Sequence, residues 1–158
     1  MSEKRPADKA YVLGRMQNIC SKAEKCTLDI QQKLRNYNLG EEDGQWIIQK
    51  LKEDKFIDES RFAGFYVKDK FRFNKWGRIK ISHSLRMKGI EENIISGAIE
   101  EQINEDDYLE VLKELLISKN KSLKEKDSYL RKGKLVRFAT QRGFEPELVF
   151  VRLEGIVK

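Results

Sequence analysis

The 158 residues carry 32 Lys or Arg against 26 Asp or Glu, a net charge of +6, with 37% charged and 39% hydrophobic side chains. Apolar residues this sparse suit narrow stripes on amphipathic helices, and no stretch approaches the roughly 18 apolar residues of a membrane span. A pI near 9.2 favours an anionic partner, while one histidine (His83) and two cysteines (Cys20, Cys26) without CxxC spacing give no support to a His-based acid-base pair, a zinc site or a disulfide scaffold.

Met1 to Lys9 is polar and has no apolar signal core, so the expected setting is a reducing cytoplasm. Only Pro6 and Pro146 interrupt helix formation. The first predicted helix runs from about Lys9 to Ala23, with Tyr11, Val12, Met16, Ile19 and Cys20 spaced for one face. Thr27 is the predicted N-cap of a second helix carrying Ile30, Leu34 and Tyr37. Gly40 to Gly44 reads as a loop, and Trp46, Ile47, Ile48 and Leu51 form a third helix ending near Phe56.

Asp58 caps the next helix, with Glu59 in its first turn. Phe62, Phe65, Tyr66 and Phe73 are assigned to its core face in preference to a base-stacking platform. Gly77 allows a turn into a helix bearing Ile81 and Leu85, and Ile94, Ile95, Ala98 and Ile99 supply another. Asn104 and Asp107 resemble a weak capping box ahead of Tyr108, Leu112, Leu115 and Leu116. Lys119 to Lys126 reads as the longest connection, and Pro146 sits at the first position of a last helix with Leu148, Val149, Val151 and Leu153. Trp46 and Trp76 are assigned as packing anchors and His83 to a helix surface.

A helix-ending phrase occurs three times: Lys33 to Leu39, Ser84 to Ile90 and Phe138 to Phe144. In register, Leu34, Leu85 and Ala139 are each followed five positions later by an apolar residue, Leu39, Ile90 or Phe144, preceded by Asn38, Gly89 or Gly143. Asn and Gly tolerate φ > 0, so each phrase predicts a left-handed residue that stops the helix in a Schellman-type cap. Spacings of 51 and 54 residues imply an array of supersecondary units. The predicted fold is all-α, an elongated or curved array of three tandem three-helix repeats at 1–57, 58–103 and 104–158.

Charge is segregated along the array. Lys68, Lys70, Arg72, Lys75, Arg78, Lys80, Arg86 and Lys88 face Asp69 alone, a balance of +7. Glu91 to Glu114 reverses it to −8, and Lys121 to Arg142, including Arg131, Lys132, Lys134, Arg137 and Arg142, returns it to +6. Either these are solvated faces that pair across the repeat, or they form a surface for a mixed-charge partner or a phosphate backbone.

The ordered phrases Asp58-Glu59-Ser60-Arg61-Phe62-Ala63, Gly77 to Ile81 with Leu85, Lys88-Gly89-Ile90 and Arg142-Gly143-Phe144 resemble the RecX family of recombinase regulators, over nearly the whole chain. The first unit departs from the pattern, with Asn38 in place of glycine and an insertion at Gly40 to Gly44. The resemblance implies a helical array that docks in the groove of a RecA filament on single-stranded DNA and inhibits ATP hydrolysis, strand exchange and filament growth. The Lys and Arg residues of the two basic segments would then touch acidic filament surface or DNA phosphate, while Asp58, Arg61, Phe62, Gly77, Leu85, Gly89, Ile90, Gly143 and Phe144 are structural. A monomeric non-enzyme without cofactor or metal is expected, acting in recombination, DNA repair and the SOS response. The rival reading is a stand-alone basic helical protein that binds single- or double-stranded DNA through a helix pair within Phe62 to Ile90. A third reading, an enzyme, lacks a Gly-rich phosphate loop as well as the histidine pair.

Overall fold

The computed structural model describes residues 7–157, so the polar stretch through Pro6 lies outside the described residues. Among them the chain forms helices and no strand: α1 (Lys9–Lys22), α2 (Thr27–Leu34), α3 (Glu41–Glu53), α4 (Glu59–Arg72), α5 (Arg78–Met87), α6 (Glu92–Gln102), α7 (Glu105–Ser122), α8 (Ser128–Gln141) and α9 (Pro146–Leu153). The principal packing stays within successive triplets, α1 to α3, α4 to α6 and α7 to α9. The accessible surface is 10537 Å², where a compact chain of 18.6 kDa exposes roughly 8200 Å². The array is therefore extended.

Local chemistry sets the helix starts. Side chains of Asp8, Asp58, Asn104 and Asp127 accept from the first-turn amides of α1, α4, α7 and α8, and Pro146 occupies the first turn of α9, where its missing N–H costs nothing. The second helix is capped by Cys26 rather than Thr27, with the Asp29 carboxylate reaching back 3.2 Å to the Cys26 amide. The expected loop at Gly40 to Gly44 is shorter than predicted, because Gly40 is the N-cap and Glu41, Glu42 and Asp43 favour the positive end of α3.

Two of the three repeated phrases close as Schellman caps. Gly89 has φ +76°, with Ile90 N–H bonded to Leu85 O at 3.1 Å and Gly89 N–H to Arg86 O at 2.9 Å. Gly143 has φ +98°, with Phe144 N–H on Ala139 O at 3.2 Å and Gly143 N–H on Thr140 O at 3.0 Å. Ile90 and Phe144 fold back into the core, 5% and 0% exposed. The first phrase is a correction: Asn38 is not left-handed. There α2 ends in short turns, Asn36 N–H on Lys33 O and Tyr37 N–H on Leu34 O, and the Asn38 carbonyl accepts from Ala7 N–H at 2.9 Å. The left-handed residue of the first triplet is instead Lys55 (φ 60°), which closes α3 with Phe56 N–H on Leu51 O at 2.8 Å.

The cores are unequal. Val12, Met16, Ile30, Leu34, Ile47, Ile48, Leu51 and Ile57 form one cluster in the first triplet. The second and third triplets share another, from Phe62, Val67 and Phe71 through Ile81, Leu85 and Ile95 to Tyr108, Leu112, Leu135, Phe144 and Val149. Phe71, Tyr108 and Phe144 join it across the junction, ring centroids 5.8 and 5.0 Å apart. Phe65 and Phe73, assigned to the core from sequence, are 56% and 80% exposed, and Val151 is exposed too. Ala63, Val67 and Phe71, at i, i+4 and i+8, set the buried direction of α4, and Phe65 and Phe73 each lie two residues, about 200° of helix, from it.

Glycine does two different jobs here. A Cβ on Gly89 would meet nothing within 4 Å, so only its left-handed backbone restricts substitution. A Cβ on Gly77 would lie 2.3 Å from the Gly143 carbonyl carbon, and one on Gly143 would lie 2.6 Å from Lys80 N. Gly89→Ala is expected to cost about 1 kcal/mol, whereas Gly77→Ala and Gly143→Ala must force packed backbones apart and cost about 3 kcal/mol or more. Urea denaturation of the three variants checks the order; equal losses would contradict it.

Candidate partner-binding surface

Two junctions position the charged residues singled out by the sequence. At the first, between α2 and α4, the neighbouring triplets exchange polar contacts. Glu59 Oε1 accepts from Thr27 N–H at 2.9 Å and Thr27 Oγ1 at 2.6 Å, so the second triplet caps a helix of the first. Arg61 Nε lies 2.6 Å from Glu24 Oε1, and its Nη2 donates to Lys55 O at 2.9 Å. Lys88 Nζ pairs with Asp29 at 3.2 Å, over the ring of Phe62. Burial alone would raise the Asp29 carboxyl, but hydrogen bonds from Cys26 and Lys88 outweigh it and hold the group below its ordinary 3.8. Burial pushes the Cys26 thiol up to about 11.

At the second junction, Gly77 N–H donates to Arg142 O at 2.7 Å and Ile79 N–H to Gly143 O at 3.0 Å, linking one backbone directly to the other. Arg78 follows Gly77 and turns inward: it pairs with Glu145 at 2.8 Å and Glu105 at 2.9 Å, and its guanidinium lies 4.0 Å from the centre of the Tyr108 ring. The Tyr108 hydroxyl donates to Glu145 and accepts from Arg78 N–H at 3.0 Å. Burial, with the Glu145 contact second, holds that phenol well above its usual value, so it stays protonated.

The structure divides the thirteen predicted contact cations. Arg78 is committed to the junction, and Arg131 is committed to Asn120 at 2.8 Å and to the carbonyls of Leu123 and Glu125, tying down the end of α7. Both are therefore internal fasteners. Arg86 forks onto Glu92, Lys134 pairs with Glu125 at 3.1 Å, and Lys88 holds the first junction. Lys70, Lys80 and Arg142 gather around Trp76 and Phe138. Lys68, Arg72, Lys75, Lys132 and Arg137 are exposed and, among the described residues, form no ion pair.

Aromatic residues accompany the open cations. Phe65, Lys68, Arg72 and Phe73 share the outer face of α4 at i, i+3, i+7 and i+8. Between α8 and α9, Tyr129, Leu130 and Phe150 line a groove of about 700 Å³ beside Lys132 and Arg137. Sequence reasoning missed these apolar residues as surface features; the phase of the Ala63, Val67 and Phe71 stripe was the signal available for α4. Among the described residues no group of three or more His, Cys, Asp or Glu could hold a metal ion, and no helix is long and apolar enough to cross a membrane.

The depressed Asp29 carboxyl makes the first junction acid-sensitive. It binds fewer protons folded than unfolded, so its contribution is present above pH 3.8 and is lost as pH falls through the lower folded value. Asp29→Asn is expected to lower the melting temperature at pH 7 and to flatten its decline between about pH 4 and pH 2.5; parallel pH curves for the variant and the parent would contradict this.

Comparison with known proteins fits this architecture. Residues 58–99 match the model of the RecX second three-helix domain and residues 105–150 that of the third. The regulatory protein RecX of Clostridium acetobutylicum is 31% identical over 137 residues, 85% of this chain and 63% of that one. That of Bacillus cytotoxicus is 28% identical over 129 residues, 81% of this chain and 47% of the relative. The chain thus spans between 47% and 63% of the length of these curated relatives. A crystal structure of a regulatory protein RecX superposes with TM-score 0.84 at 25% identity, over 92% of this chain and 73% of that one. RecX from Lactobacillus salivarius, at 19% identity, shares the fold with TM-score 0.79 over 94% and 96% of the two chains. With two of its three helical triplets matching successive domains of one family, and the left-handed glycines 89 and 143 closing the middle helix of each, the chain belongs to the RecX family of regulatory proteins.

Proposed function

We propose that this protein is a regulator, not an enzyme, that docks on the RecA recombinase filament assembled on single-stranded DNA and suppresses its ATP hydrolysis, strand exchange and growth. It would act as a monomer in the cytoplasm, without cofactor, in recombination, repair and the SOS response. The observation that carries the reading is the set of open cations spread over two locked triplets: Lys68, Arg72 and Lys75 along and just after α4, Lys132 and Arg137 on α8. A filament is long, repetitive and charged, so a rail of similar modules, which we assign to 1–57, 58–103 and 104–158, contacts neighbouring protomers at once. Such bridging gains avidity without a catalytic group. Phe65, Phe73, Tyr129 and Phe150 supply apolar contact area beside the cations, the composition of an interface anchor with a charged rim.

The test is inhibition of the DNA-stimulated ATPase of RecA. Reversal of the open cations, Lys68→Glu, Arg72→Glu and Lys75→Glu with Lys132→Glu and Arg137→Glu, is expected to raise the half-inhibitory concentration at least ~10-fold. The helical circular dichroism should persist, since none of the five holds an internal ion pair. Undiminished inhibition by the folded variant would refute the assignment.

A further inference from the structure

The two junctions are one joint built twice. Cys26 caps α2 and Gly77 caps α5, each eight residues ahead of the leucine that opens the repeated phrase, Leu34 or Leu85. Against each cap lies the carbonyl of the basic residue that precedes a left-handed glycine in the next triplet, Lys88 O on Cys26 and Arg142 O on Gly77. The residue after each cap meets the first residue of the next triplet's leading helix, Thr27 on Glu59 and Arg78 on Glu105. The registers agree position for position.

What differs is the residue at the cap. Gly77 N–H reaches Arg142 O at 2.7 Å, and a Cβ there would lie 2.3 Å from the Gly143 carbonyl carbon. Cys26 carries that Cβ, so the first junction does not close to the same depth. Its thiol stands 4.0 Å from Lys88 O, its amide is taken by Asp29 and, among the described residues, no backbone hydrogen bond crosses from the first triplet to the second. Side chains do the holding instead, in the Thr27 contact with Glu59 and the ion pairs Arg61–Glu24 and Lys88–Asp29. The four paired side chains are 21–36% exposed, and pairs this open are screened by salt.

We infer that the first junction is a salt-gated hinge: Cys26, standing where the second junction has glycine, holds the backbones apart, so the first triplet swings clear as a unit when the pairs at Arg61 and Lys88 are screened, and the second and third triplets stay locked. The first triplet keeps its own core through the motion, since Val12, Ile30, Ile47 and Leu51 belong to a cluster separate from the one that Cys26 enters. Opening uncovers Cys26, which is 0% exposed when the junction is closed. Subglobal opening of this kind is read through the group it uncovers. The hinge is a property of the chain alone and is measured without any partner.

The experiment uses the full chain with Cys20→Ala, which leaves Cys26 as the only thiol, and follows its reaction with dithiobis(nitrobenzoate) by absorbance. At low urea the labelling rate should be nearly independent of urea, because a hinge exposes little surface, and should rise at least ~3-fold between about 0.05 M and 1 M NaCl. The helical circular dichroism should stay constant over the same salt range. Arg61→Gln and Lys88→Gln, both on the second triplet, should each speed labelling at least ~5-fold at low salt and remove part of the salt response. A rate that climbs exponentially from the first addition of urea and ignores salt would mean that Cys26 is reached only by global unfolding, and would overturn the hinge. Rates left unchanged by both second-triplet variants would place the opening in the 23–26 turn alone, and would overturn it too.

Discussion

The arrangement depends on one close approach of backbone to backbone, Gly77 against Gly143. Each glycine stands between an aromatic residue and an arginine, as Trp76-Gly77-Arg78 and Arg142-Gly143-Phe144. The contact therefore sorts four side chains at once. Arg78 and Phe144 turn to Tyr108, where they complete a buried aromatic and ion-paired lock. Trp76 and Arg142 turn to a cleft beside Lys80 and Phe138, where charge is left open. Any Cβ at either glycine would push the two triplets apart and dissolve both arrangements together.

The first junction works by other means. Its contacts include a shared helix cap at Thr27 and ion pairs at Arg61 and Lys88, and among the described residues of the first triplet Cys26 and Leu28 reach into the larger core. Such pairs are partly exposed and are weakened by salt and acid. The array thus joins a stiff pair of triplets to a more separable one. On the filament-docking proposal, avidity would come chiefly from the stiff pair, because effective concentration falls when the linked sites are not held in register.

Much of this was legible from residue order. Gly89 and Gly143, each one residue ahead of an apolar anchor, announced the caps, and Asp58, Asn104 and Pro146 announced helix starts. Asn38 misled because its permissive backbone is used for a carbonyl contact with Ala7 rather than for a left-handed turn, and Lys55, a residue with no such preference, makes the turn instead. The segregation of charge is plain in the residue order, yet nothing there marks Arg78 and Arg131 as inward-facing, since their acceptors lie in other elements or in backbone carbonyls. Trp76 looks like a packing residue alone when only its sequence neighbours are considered. Phe138 and Arg142 are more than sixty residues away, so only the junction brings them to one place.

If the glycine contact carries the array, its hydrogen bonds should open only when the molecule unfolds. Native-state hydrogen exchange at the amides of Gly77 and Ile79, which donate to Arg142 and Gly143 across the junction, tests this most directly. The account predicts protection equal to that of the core amides of α5 and α8. Exchange at the rate of solvent-exposed loop amides, while those helices stay protected, would contradict it.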